Sequence, residues 1–241
     1  MQPVLKHLRR ITDACMCVLL LLLMAYQVTG EALHEWIGMG MTVLVLLHQI
    51  LNRKWYAALF KGRYNPYRIL TTLVNGLLLA AFVLTALCGM SMSAHAVRFL
   101  YGMIPISLAR RLHLALSRWS FVLMGLHLGL HLPAMLPRLR GGKKHVLDAV
   151  FCCLAGIGCF LFLRSGMGAD LLFRTAFAFL DYSAPGALVL LQNLLMLLFW
   201  AFSGMQAALL CRKSQRRWPP LLLLAAAILL GLLLHRLMPL A

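Results

Sequence analysis

The chain has 241 residues, 62% of them hydrophobic and only 12% charged, with a mean hydropathy of +0.86. Soluble domains are roughly half apolar and a quarter charged, so a single soluble core is excluded and lipid is the expected solvent. The net charge of +17 does not point to nucleic acid, because Lys and Arg fall in short clusters between apolar runs, as in the positive-inside pattern.

Crossing a bilayer takes about 20 apolar residues in a helix. The predicted spans are 11–29, 33–51, 69–89, 109–132, 147–163, 187–210 and 219–237, about seven in all. The fold class is therefore all-α, a polytopic transmembrane helical bundle. The first span has a basic start, but its exit Tyr26-Gln27-Val28-Thr29-Gly30 lacks a signal-peptidase pattern, so it reads as a retained helix.

The basic residues alternate in side. Lys6, Arg9 and Arg10 precede the first span, and Arg53, Lys54, Lys61, Arg63 and Arg68 follow the second. Arg138, Arg140, Lys143 and Lys144 follow the fourth, and Arg212, Lys213, Arg216 and Arg217 follow the sixth. This places the N-terminus and these loops in the cytoplasm. The two longer outer loops, 90–108 and 165–186, are apolar enough to lie on the membrane surface. Seven cysteines fall mostly inside apolar runs, with no C-x-x-C-H and no paired zinc spacing, and read as small apolar residues.

Nine histidines are present, and ionisable groups inside spans are functional candidates by default. The second span holds His34 and His48, and the fourth holds His113 and His127, each pair fourteen residues apart. Fourteen helical steps return to within about 40° of the same face and rise about 21 Å. Both spans run from outside to inside, so His34 meets His113 at one depth and His48 meets His127 at another. Two haems b stacked across a bilayer need that arrangement, and their iron would be held by these four histidines. Gly38, Ser117 and Ser120 offer room beside a macrocycle, and Met41 and Met124 fill the gap between two rings. Bis-histidine iron has no open position and favours electron transfer. His131, one turn below His127, is an alternative ligand or part of a quinone or flavin site. His95, in an outer loop, is an alternative outer ligand. Among the basic residues, Arg110 on the outer side and Arg53 on the inner are candidates to meet haem propionates.

The stretch Thr29-Gly-Glu-Ala-Leu-His34-Glu-Trp-Ile-Gly38 through His48-Gln-Ile-Leu-Asn52-Arg-Lys-Trp55, and the run Ala109-Arg-Arg-Leu-His113 through Met124-Gly-Leu-His127-Leu-Gly-Leu-His131, resemble a bacterial membrane family. That family is known mostly as a domain of unknown function with cytochrome b-like character. Ser91-Met-Ser-Ala-His95 and Phe179-Leu-Asp-Tyr-Ser-Ala-Pro185 are similar to it more weakly, and the likeness covers about residues 10–211. The exit reads Ser-Ala-His where a basic residue is expected, and Gly125 stands where Ser is expected; neither change touches a proposed ligand. The resemblance implies electron transfer across the bacterial cytoplasmic membrane.

The expected organisation is a four-helix haem-binding core in 1–135 and C-terminal membrane helices in 136–241. The expected function is a di-haem b conduit between a quinol or cytoplasmic flavoprotein and an extracytoplasmic acceptor, an electron-transfer subunit rather than a complete enzyme. No G-x-G-x-x-G is present, so a nucleotide or flavin domain would be a separate chain. The alternative is a haem-free transporter or assembly factor whose histidines line a proton or metal path.

Overall fold

The computed structural model describes residues 2–135, 144–175, 177–178, 180–212 and 218–238. The described residues form helices and connecting turns, without a strand. In order they are α1 (Gln2–Met24), α2 (Tyr26–Leu51), α3 (Lys54–Ala58), α4 (Pro66–Met92), α5 (Ile106–Met135), α6 (Lys144–Arg164), α7 (Met167–Leu171), α8 (Gly186–Cys211) and α9 (Trp218–Leu237). Six of the seven predicted spans fall inside one long helix. The first, 11–29, runs across a break at the fully buried Ala25, whose backbone is non-helical. The basic residues Arg138, Arg140, Lys143, Lys213, Arg216 and Arg217 lie outside the described residues.

Among the described residues, four helices are long and apolar enough to cross a membrane, as an integral membrane protein requires: Pro66–Met92, Val146–Arg164, Gly186–Cys211 and Pro220–Leu237. The other three long helices carry charged and polar groups along their length. α1 holds Lys6, Arg9, Arg10 and Asp13; α2 holds His34, Glu35, His48 and Gln49; α5 holds Arg110, Arg111, Arg118 and three histidines. These helices include the two that bear the candidate ligands.

The chain forms two compact units. The first comprises Met1–Arg63, Val83–Leu114 and Ala176–Leu190. In it α1 packs along α2, joined at one end by two polar contacts. An Arg9 guanidinium nitrogen donates to the Leu51 carbonyl at 2.6 Å, and Asp13 Oδ1 lies 2.7 Å from His48 Nδ1. Near the other end α2 is interrupted at Gly30, with φ 68° and ψ 178°. Only glycine adopts that conformation readily. The helix restarts there, with His34 one turn further on.

The second unit comprises Tyr64–Phe82, Ala115–Thr175 and Leu191–Ala241. Here α6 packs on α9, and Ala155, Cys159, Phe199, Phe202, Met205 and Ala227 form a buried core. Arg118 of α5 pairs with Asp170 of α7 at 3.1 Å, both side chains largely buried, and Thr175 Oγ1 donates to the same carboxylate. One close helix approach is between α5 and α8. A Cβ built on Gly125 would lie 2.4 Å from Trp200 Cβ, and one on Gly129 would lie 2.0 Å from the Ala201 carbonyl oxygen. Gly125 and Gly129 form a small-xxx-small pair, the usual device for close packing of membrane helices. His127 stands between them, about 200° around the helix from Gly125, so it points away from α8.

Gly129→Ala is expected to push α5 and α8 apart. Overpacking of this kind costs about 1–3 kcal/mol, read as a lower thermal midpoint in detergent. An unchanged midpoint would show that the two helices are not held at this distance.

Candidate functional site

The structure brings His34 and His113 together within the first unit. Their ring centres lie 6.1 Å apart with planes inclined at 72°. A metal–nitrogen bond of about 2 Å to each ring would put two imidazole centres on opposite sides of one ion roughly 6 Å apart, and the pair has about that separation. Tyr26 packs on the other side of His34, edge to face at 5.1 Å.

His113 is oriented by α4. Its Nδ1 lies 2.9 Å from the Thr85 carbonyl oxygen. A carbonyl only accepts, so Nδ1 carries the proton and the neutral ring has its lone pair on Nε2. In an α-helix the residue four along sits over a given carbonyl; over Thr85 it is Gly89. A Cβ on Gly89 would lie 3.1 Å from His113 Cε1 and 3.3 Å from Nδ1. The missing side chain is what lets the ring reach the carbonyl. His34 Nδ1, by contrast, is buried with no hydrogen-bond partner among the described residues. Such an orphaned group costs about 1–3 kcal/mol unless something absent from the described residues satisfies it. The two rings offer imidazole donors of the kind that hold haem iron.

His48 and His127 follow the same pattern, each within its own unit. His48 Nδ1 meets Asp13 Oδ1 at 2.7 Å. Asn52, one turn on, donates to the His48 carbonyl at 2.9 Å, with its amide nitrogen 3.4 Å from Nδ1. His127 Nδ1 meets Asn75 Oδ1 at 2.8 Å. Three of the four candidate ligands thus point Nδ1 at an oxygen, which leaves the lone pair on Nε2. Metal-binding histidines are oriented in this way by a second hydrogen bond. Asp13, Asn75, the Thr85 carbonyl and Gly89 do not emerge from sequence spacing. An acid in the first span and an amide in the third were the available signals for two of them.

The remaining candidates are placed as follows. His131 packs against His127 with ring centres 4.8 Å apart. Met41 and Met124 are buried. Gly38 faces Leu23 of α1 at an ordinary 3.9 Å, and Ser120 is buried with an unpartnered hydroxyl. Arg53 precedes α3 and is exposed. Arg110 stacks over Phe177 at 5.5 Å, beside an open cavity of about 350 Å³ lined by Ile106, Ser107, Arg110, Arg111 and Phe177.

His95 lies beside two carboxylates. Ligand atoms of Glu31, Glu35 and His95 fall within 4.8 Å of one another. Glu35, however, already holds the following loop. Its Oε2 accepts from Ser93 Oγ and from the backbone N–H groups of His95 and Ala96, and its Oε1 from Ala94 N–H, at 2.7–2.9 Å. Four donors occupy most of the carboxylate's lone pairs, so Glu35 is primarily an anchor tying residues 93–96 to α2. On the loop before α8, Asp181 accepts from Ser183 Oγ and N–H, which holds its carboxyl below the usual range.

No known protein family, curated protein or solved structure matches the chain.

Glu35→Gln keeps the size of the anchor and removes its charge. Hydrogen bonds to charged groups are worth about 1.5–3 kcal/mol, so amide exchange at Ala94, His95 and Ala96 is expected to accelerate about tenfold or more. Unchanged protection at these amides would assign the order of this loop to other contacts.

Proposed function

We propose that the chain is a di-haem b membrane cytochrome of about seven spans that transfers electrons between a quinol or cytoplasmic flavoprotein and an extracytoplasmic acceptor. The observation that carries this reading is the His34–His113 pair, with ring centres 6.1 Å apart and His113 fixed by the Thr85 carbonyl. The second ligand pair, His48 with His127, rests on the repeated fourteen-residue interval. It is supported on each residue separately by the oxygen at Nδ1. The basic loops assign the N-terminus to the cytoplasm, and the resemblance noted above implies a bacterial membrane.

The residues divide the work. His34, His113, His48 and His127 would hold the two irons, and haem would supply reversible one-electron chemistry when bound. Thr85, Asp13 and Asn75 fix ring orientation and tautomer. Gly89 keeps the face of His113 clear. Arg110 and Arg53 remain candidates to meet propionates. Two histidines per iron would leave no substrate position, so the chain would act as an electron-transfer subunit whose donor and acceptor are separate molecules.

Purified protein from haem-replete cells is expected to give a b-type reduced-minus-oxidised spectrum with two haems per chain. His113→Ala should halve the haem content, and His48→Ala should do the same through the other centre. A colourless wild-type preparation would overturn the proposal and leave the transporter or assembly reading. Full haem content in both variants would overturn the ligand assignment.

A further inference from the structure

The candidate ligands differ in what holds Nδ1. His113 is held by a backbone carbonyl and His127 by an amide oxygen, both neutral. His34 Nδ1 has no partner among the described residues. His48 Nδ1 is held by a carboxylate, Asp13, at the 2.7 Å of a charge-assisted hydrogen bond. We infer that Asp13 is a positioning residue that lowers the reduction potential of the haem bound by His48, so that the two centres of one chain are poised apart. This inference rests on the di-haem reading above.

The physical step is short. An Nδ1–H donated to a carboxylate gives the imidazole part of the character of an imidazolate. The Nε2 lone pair then becomes a stronger donor to iron, which favours the oxidised, more positive state. Neutral acceptors do this less. The neighbours leave the carboxylate to this role. Arg9, one turn before Asp13 on α1, is turned to the Leu51 carbonyl. The Asn52 amide nitrogen is 3.4 Å from Nδ1 and makes its shorter bond to the His48 carbonyl. Asp13 is itself half exposed, with a side-chain exposure of 51%, against 23% for His48. Its charge is therefore partly screened, and the effect travels through the hydrogen bond more than through space.

The competing reading makes Asp13 a clasp between α1 and α2 with no electronic consequence. It predicts a weaker fold in Asp13→Asn and unchanged potentials. The experiment is a spectroelectrochemical titration of the purified, haem-loaded protein. Wild type is expected to show two midpoints. Asp13→Asn should move the lower one upward and leave the other in place, and Asp13→Glu should restore most of the difference. Asn75→Asp, which offers His127 a carboxylate, should move a midpoint downward and serves if Asp13→Asn does not fold. Two bound haems with unmoved midpoints in Asp13→Asn and Asn75→Asp would overturn the inference and leave the haem reading intact. Wild type without haem would overturn both.

Discussion

An imidazole inside an apolar helix bundle has two nitrogens to satisfy and no water to do it. The rest of this chain is arranged around that constraint. A membrane helix uses its backbone groups on itself, so the partners of a histidine must come from other helices. Here α4 serves two of the three histidines of α5, offering the Thr85 carbonyl to His113 and the Asn75 side chain to His127. α1 serves α2, offering Asp13 to His48. Each partner takes the Nδ1 proton and so determines which nitrogen is left with a lone pair. Orientation and chemistry are settled by the same hydrogen bond.

Packing enforces these orientations from behind. α5 presses Gly125 and Gly129 into α8 with no room for a methyl group, which fixes the rotation of α5 about its own axis. Once that rotation is fixed, His127 and His131 face away from α8, on the side where Asn75 is found. Gly89 acts on a smaller scale, because its bare Cα is what the His113 ring lies against. At Gly30 the cause is backbone conformation instead: a φ of 68° with an extended ψ resets the start of the helix that carries His34 and Glu35.

The parts legible in the sequence are those confined to one helix. Apolar runs located the long helices, with only the break at Ala25 misplaced, because Leu, Met and Ala give no local stop signal. The fourteen-residue interval is likewise a property of one helix, so both histidine pairs were visible. The partners were not, since Asp13, Asn75 and Thr85 depend on how separate helices are rotated, and Thr85 contributes only a backbone carbonyl. The same gap explains the small residues. Gly38 was expected beside a ring and faces Leu23 of α1, while Gly89, unremarked in sequence, lies against His113.

α1, α2 and α5 are not among the four described helices that read plainly as spans, and the reason bears on function. Their polar residues are not a scattered surface. Asp13 meets His48, Arg9 meets the end of α2, Glu35 gathers four donors from one loop, and Arg118 meets Asp170 in a largely buried pair. Burying such groups costs several kcal/mol per charge unless each is paired, and lipid offers no alternative partner. A chain selected only to span a membrane would replace them with Leu or Val. Here each of them has a partner on another helix or loop, which offsets that cost.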